Sequence, residues 1–129
     1  MSDSPQAQPG SIGWIDLTVR DAETIRDFYG AVAGWRHDPV DMGGYSDYAM
    51  RPAAGGGPVS GICHQRGVNA ALPPVWIVYI TVADLEASLR NCRELGGKVL
   101  TEPNDMGHGS RYAVIQDPAG AVCALYQPA

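Results

Sequence analysis

Apart from its 14 Asp and Glu residues, this sequence of 129 residues has few side chains that could bind a metal ion or act as a strong nucleophile. They are three cysteines and three histidines: Cys63, Cys92, Cys123, His37, His64 and His108. A transition-metal site needs at least three N, O or S donors that converge on one point. Neither set shows a metal-type spacing such as CxxC. We therefore predict surface or loop histidines and reduced, mostly buried thiols.

Acid–base chemistry without a metal would need a carboxylate, an imidazole or a phenol inside a binding cleft. Asp16, Tyr79 and His108 are candidates for that role, but the sequence contains no catalytic pair at a fixed spacing. The glycine-rich run AAGGGP lies between two predicted strands rather than ahead of a helix, so it predicts a hairpin turn and not a phosphate loop. Whether the protein is an enzyme stays open at this point.

Composition and charge narrow the range of partners. With 45% hydrophobic and 18% charged residues, the chain has the composition of one soluble globular domain. A net charge of -5, with nine scattered Lys and Arg residues, argues against nucleic acid. No apolar run approaches the roughly 20 residues of a membrane span. We expect a disordered tail over residues 1–10, which lacks a signal-peptide layout, and a cytoplasmic protein.

The elements that would position these side chains occur twice. DMGGYSDYAM at 41–50 and DMGHGSRYAV at 105–114 share six of ten positions. A shift of 63 residues also aligns Val19 with Val82 and Asp21 with Asp84. Such self-similarity along most of the chain indicates an internal duplication.

Each half predicts the order βαβββ. The runs WIDLTV and VWIVYITV are rich in β-branched and aromatic residues and predict strands, and Asp21 and Asp84 then stand where a helix needs an N-cap. Three short strand-like runs follow each helix. We predict an α+β fold in which two tandem modules form a cupped, mostly antiparallel eight-stranded sheet. Module one covers 11–65, the linker 66–73 and module two 74–127.

Three segments carry a family resemblance: WIDLTVRDAETIRDFYGAVAGW, WIVYITVADLEASLRNCRELGGKV and RYAVIQDPAGAVCALYQ. Over residues 11–127 the chain resembles the vicinal oxygen chelate superfamily, which contains glyoxalase I, extradiol dioxygenases and bleomycin resistance proteins. Its metalloenzymes hold a divalent ion with His or Glu on four strands. The resemblance puts those positions at Trp14, Gly61, Ile77 and Ala124, none of which can bind a metal. It thus implies a member that lacks the metal ligands and uses no cofactor.

The resemblance also implies which side chains face the concave side of the sheet, because alternate strand residues share a face. We expect a ligand site formed by Trp14, Asp16, Ile77, Tyr79, Ala124 and Tyr126, with Tyr45, His108 and Arg111 at its mouth. Aromatic walls with few polar groups suit a flat or mostly apolar molecule. The same aromatic side chains could instead fill the space of the lost metal. Asp16 could be a general base, an anchor for a cationic ligand or a plain hydrogen-bond acceptor.

Three functions from different classes follow. The first is a metal-free protein that binds a small organic ligand, and the second is a cofactor-independent isomerase or lyase that uses Asp16, His108 or Tyr79. The third, a metal-dependent lyase or dioxygenase, is disfavoured by the four positions without donors. The lack of a catalytic pair favours the first function, and the resemblance favours a homodimer. The sequence identifies neither the ligand nor whether the modules pair within one chain or across a dimer.

Overall fold

The computed structural model describes residues 8–129. Residues 1–7 of the predicted tail lie outside the described residues. At its start the Gly10 amide donates to the Thr81 carbonyl at 2.7 Å. The described chain forms two compact units. The first unit is Ile15–Trp76, and the second combines residues 8–14 with Ile77–Ala129.

The first unit follows the predicted order βαβββ. Its elements are β1 (Ile12–Val19, which begins in the second unit), α1 (Ala22–Ala33), β2 (Arg36–Asp41), β3 (Ser46–Arg51) and β4 (Ser60–His64), before a short 3-10 helix at Gly67–Asn69. The strands lie in the order β2, β3, β4, β1. The β2–β3 and β3–β4 pairs are antiparallel, whereas β1 and β4 are parallel. Strand β2 is therefore an edge strand of this unit.

The second unit repeats the pattern with one more strand. Its elements are β5 (Trp76–Thr81, which begins in the first unit), α2 (Leu85–Glu94), β6 (Lys98–Val99), β7 (Asn104–Gly107), β8 (Ser110–Gln116) and β9 (Val122–Gln127). Strands β5 and β9 are parallel, and β8 pairs antiparallel with β6, β7 and β9. The predicted α+β fold of mostly antiparallel strands is confirmed. Residues 8–129 contain nine strands rather than eight, because the two-residue strand β6 precedes β7.

Both helices begin at the predicted aspartates. The Asp21 side chain accepts from the Thr24 amide at 3.2 Å, and the Asp84 side chain accepts from the Ala87 amide at 3.1 Å. These bonds satisfy amides that have no partner inside the helix. Helix α1 stops at Gly34, whose φ of 74° is left-handed.

Each helix covers one face of the strands in its own unit. Leu17 and Ile62 pack with α1 in the first unit, and Ala113 and Leu125 pack with α2 in the second. Alternation places the neighbouring residues on the opposite face. The helical spacing of apolar residues in α1 predicts that Phe28 and Val32 are buried. They are instead 52% and 66% exposed.

Two further observations concern the whole described chain. Cys63, Cys92 and Cys123 are free thiols of intermediate burial, so they are less buried than the sequence predicts. No helix within residues 8–129 has the length and apolar character to cross a membrane.

Candidate functional site

The strand face opposite α2 in the second unit collects several of the predicted site residues. In the register, Tyr79 is the partner of Ala124 and Thr81 is the partner of Tyr126. Ala124 also pairs with Val114, on the other side of β9. Paired residues point to the same side of a sheet, and α2 packs on the alternate residues. Tyr79, Ala124 and Tyr126 therefore share the face that α2 leaves uncovered, and Ile77 joins them two residues before Tyr79.

This face, which we call the aromatic face, is largely removed from water. Ile77 is 1% exposed and Ala124 is 0% exposed, whereas Tyr79 and Tyr126 are partly buried. The Tyr79 ring lies 5.8 Å from the Tyr112 ring in a tilted arrangement. Aromatic pairs of this kind offer rigid surface with a polar hydroxyl at one end. Trp14, also partly buried, belongs to the same unit.

The four positions at which the resemblance expects metal ligands carry no donor side chain. Ile77 and Ala124 are buried strand residues, Gly61 is buried in β4, and Trp14 lies on β1. Across residues 8–129 no three His, Cys, Asp or Glu side chains come close enough together to hold a metal ion. Divalent metals need such donors, so the residues at these positions do not fit a metal ion, and we derive no chemical step through one.

In the first unit, the face opposite α1 carries acidic residues instead. Asp16 pairs with Gly61 and Thr18 pairs with Cys63, so these side chains share that face. Burial raises the pKa of the Cys63 thiol well above its usual range, and the negative charges of Asp16 and Asp47 raise it further. A ligand cation near Asp16 would therefore meet a negative environment.

Tyr45, predicted at the mouth of the site, lies against His64. The two rings are 5.5 Å apart in an edge-on arrangement, and the Arg66 guanidinium lies 3.9 Å from the Tyr45 ring centroid. His64 follows Ile62 with the spacing that puts it on the α1 side. Tyr45 is therefore engaged on the α1 side of the first unit.

His64 itself is held between two carboxylates that sequence reasoning did not connect. Its Nδ1 lies 3.3 Å from Asp47 Oδ1, and its Nε2 lies 3.2 Å from Glu23 Oε1. The Tyr48 hydroxyl donates to the other Glu23 oxygen at 3.2 Å. The His64 hydrogen bond is the main cause that lowers the pKa of Glu23. These residues lie up to 41 positions apart, so no local sequence signal could have grouped them.

The two remaining predicted mouth residues lie near the β7–β8 turn. His108 occupies the turn with a left-handed φ of 57°. Arg111 alternates with Tyr112 along β8 and so points to the α2 side, where its Nη1 contacts Glu86 Oε2 at 2.8 Å. Arg111 therefore lies on the side of the strands away from Tyr79.

The first unit also has two surface depressions that the sequence did not predict. One is an apolar groove of about 310 Å³ lined by Leu17, Val19, Ile25, Phe28, Tyr29, Pro74 and Trp76. Inside it the Trp76 indole donates to the Tyr29 hydroxyl at 3.2 Å. The other, of about 340 Å³, is lined by Arg26, Asp27, Gly30, Trp35, Arg36, His37 and Arg51. The tryptophans and arginines were visible in the sequence, but their convergence required the tertiary structure.

Comparison with solved structures agrees with the fold. The hypothetical protein BH1468 from Bacillus halodurans C-125 superimposes with a TM-score of 0.60 over 95% of this chain and 96% of its own. Its sequence is 14% identical, so the likeness shows the fold alone.

Comparison of sequences defines the class. The chain matches the Glyoxalase/Bleomycin resistance protein/Dioxygenase superfamily over residues 11–125, and it belongs to that superfamily. The chain is 38% identical over 113 residues to the anthracycline biosynthesis protein DnrV of Streptomyces peucetius. It is 39% identical over 119 residues to the anthracycline biosynthesis protein DauV of Streptomyces sp. (strain C5). Each match covers 88% of this chain and 40% of the relative, so the chain spans less than half the length of these curated relatives.

Proposed function

We propose that this protein binds a small, flat or mostly apolar organic molecule without a metal ion, in the manner of a bleomycin resistance protein. The observation that carries the proposal is the aromatic face, where the register groups Tyr79, Ala124 and Tyr126. Ligand sites of this kind combine apolar and aromatic walls with a few polar groups that fix orientation. Two of the positions where a metalloenzyme of the superfamily would place donors, Ile77 and Ala124, are part of this apolar surface.

The chemistry of the face suits a planar ring system. The rings of Tyr79 and Tyr126 would contact the ligand surface, while their hydroxyls would hydrogen-bond a carbonyl or hydroxyl group. Trp14 in the same unit would add an indole as a further contact surface. A tyrosine or tryptophan provides large contact area at low cost in conformational entropy. Recognition would thus depend mainly on ring stacking.

The curated relatives support a polycyclic ligand. DnrV and DauV are named for the biosynthesis of anthracyclines, which are planar polycyclic aromatic compounds. A chain that resembles them over 88% of its own length is suited to a related planar compound. We therefore infer an anthracycline-like or other fused-ring aromatic ligand.

A second function, a cofactor-independent isomerase or lyase, is favoured by one observation. Asp16 pairs with Gly61 in the β1–β4 register and so lies on the face that α1 leaves uncovered. A carboxylate there could take a proton from a bound substrate. Tyr79 and His108 are the other candidate acid–base groups. The variant Asp16→Asn separates the two functions, because a cation anchor would lose affinity and a general base would lose turnover while binding persists.

The proposal includes a homodimer in the cytoplasm. The large exposed apolar side chains of α1, Phe28 and Val32, support association with a second copy. The free thiols support a reducing compartment. Light scattering coupled to size-exclusion chromatography should give twice the 13.7 kDa mass of the chain; a monomer at micromolar concentration would contradict the dimer.

Ligand binding can be tested by tryptophan fluorescence. A planar anthracycline should quench the wild-type emission in a saturable way, and Trp14→Leu should lose most of the affinity. Leu95→Ala, which shortens a side chain that is 77% exposed, is the control and should keep it. If Trp14→Leu binds with unchanged affinity, the indole only fills space and the ligand lies elsewhere. Elemental analysis of the dialysed protein should show no stoichiometric transition metal.

A further inference from the structure

The depression of about 340 Å³ in the first unit is unusual in its charge. We call it the arginine pocket. Its lining comes from the second turn and middle of α1, the start of β2 and the end of β3, and it includes Arg26, Arg36 and Arg51. The chain as a whole carries a net charge of -5. A concentration of arginines on an acidic protein calls for a local explanation.

Two of the three guanidinium groups are paired. Arg26 binds Asp27 through Nε at 2.9 Å and Nη2 at 3.2 Å. Arg51 binds Asp38 through Nε at 2.8 Å and Nη2 at 3.4 Å. Each carboxylate is already engaged by a two-point contact. The pKa values of Asp27 and Asp38 are accordingly lowered, chiefly by these hydrogen bonds.

Arg36 is the exception. Within residues 8–129 its guanidinium has no ion-pair partner. Arg26 and Arg51 each hold a carboxylate, so Arg36 is the guanidinium of the pocket that remains available to an anion. An unpaired arginine offers five N–H donors in a planar fork that matches a carboxylate or phosphate group.

The strand register makes this arrangement unfavourable in the absence of a ligand. Arg36 on β2 is directly opposite Arg51 on β3. Like charges directly opposite each other on antiparallel strands are destabilising. Asp38 directs both of its oxygens to Arg51. An anion bound at Arg36 would remove the remaining repulsion.

We propose that the arginine pocket binds the oxyanion group, carboxylate or phosphate, of a small molecule, with Arg36 as its principal contact. Arg51 would supply a second positive charge across the strand pair. Trp35 on the pocket wall would contact an organic part of the anion. Gly30 lines the pocket without a side chain, which leaves room beside α1. The pocket belongs to the first unit alone, so this proposal does not depend on the aromatic face.

The test uses the full chain with inorganic phosphate and benzoate as separate probes at constant ionic strength, adjusted with chloride. Backbone amide signals in NMR spectra should shift in a saturable way around Trp35, Arg36 and Arg51. Saturation by both probes identifies a general oxyanion site, and saturation by one identifies which oxyanion it accepts. Arg36→Gln should weaken binding of the accepted probe by about tenfold or more, because a charge-assisted contact is lost. The matched control is Arg90→Gln, which removes an exposed arginine on α2 that has no ion pair among residues 8–129, and it should bind as the wild type.

The melting temperature gives an independent test. Without anion Arg36→Gln should be the more stable protein, and with anion only the wild type should gain stability. Without anion, Arg36→Gln should raise the melting temperature above that of Arg90→Gln, because it removes the cross-strand repulsion. With phosphate or benzoate, the wild type should gain stability and Arg36→Gln should not. The proposal is overturned if neither probe gives saturable shifts in the wild type, or if Arg36→Gln binds both with unchanged affinity. A lower melting temperature of Arg36→Gln without anion would also overturn it, because Arg36 would then be a structural residue.

Discussion

A carboxylate placed at Ala124, where the resemblance expects a metal ligand, tests how apolar this position is. Ala124 is 0% exposed and lies between Tyr79 on β5 and Val114 on β8. Ala124→Glu restores a ligand-type side chain at this position. Ala124→Gln adds nearly the same volume without a charge. Ala119→Glu makes the same change in the exposed β8–β9 turn and is the control.

The expected magnitude follows from burial. Added volume in a filled site costs about 1–3 kcal/mol, and Glu and Gln share this cost. The Glu carboxyl would also have to stay protonated, which costs about 1.4 kcal/mol for each pH unit above an unfolded pKa of about 4.3. At about pH 7 this adds close to 4 kcal/mol for a carboxyl whose folded pKa exceeds 7. The sum is a large part of the roughly 5–15 kcal/mol that stabilise a typical domain.

The difference in stability between Ala124→Glu and Ala124→Gln should depend on pH in one direction only. A folded pKa raised above the unfolded one leaves Ala124→Glu and Ala124→Gln equally stable below about pH 4. The difference then grows as pH rises and levels off at the folded pKa. Urea unfolding across this range measures it, and Ala119→Glu should stay close to the wild type. Equal stability of the Glu and Gln variants at neutral pH would refute the reasoning, because the carboxylate would then reach water.

Two other predictions concern the first unit. Because the His64 hydrogen bond lowers the folded pKa of Glu23, the ionised carboxylate stabilises the fold above its ordinary pKa, and this contribution is lost as pH falls through the lowered value. Glu23→Gln should therefore flatten the acid limb of stability measured by urea unfolding, and an unchanged limb would contradict the His64 contact. Burial and the nearby acidic residues raise the pKa of the Cys63 thiol, so Cys63 should resist iodoacetamide in the native protein at mildly alkaline pH and react after unfolding. Peptide mapping by mass spectrometry shows which cysteine is labelled, and rapid native labelling of Cys63 would contradict its burial.

The elements of the fold were predictable because their signals are local. Asp21 and Asp84 cap the two helices where the sequence places them, since a cap needs only the residues of the next turn. The duplication revealed the order of elements along the chain, βαβββ, in each half. The second unit has one strand more than predicted, because the chain between α2 and β8 forms two short strands, β6 and β7, where the repeat indicated one.

The side-chain partners were less predictable, since they depend on distant residues. Strand parity grouped Tyr79, Ala124 and Tyr126, and the register agrees with that grouping. Strand alternation also puts Arg111 on the opposite side of β8 from Tyr112, where Arg111 binds Glu86. The position of Arg111 near the loop therefore did not predict which side of the strand it faces. The Glu23–His64 contact joins residues 41 positions apart, which no periodic pattern encodes.

Calorimetric titration of the metal-stripped protein with a planar anthracycline tests the central claim most directly. We expect saturable binding with the same affinity in the presence of a chelator and of added zinc, and a large loss of affinity in Trp14→Leu. Absence of saturable binding, or binding that appears only with a divalent metal, would contradict it.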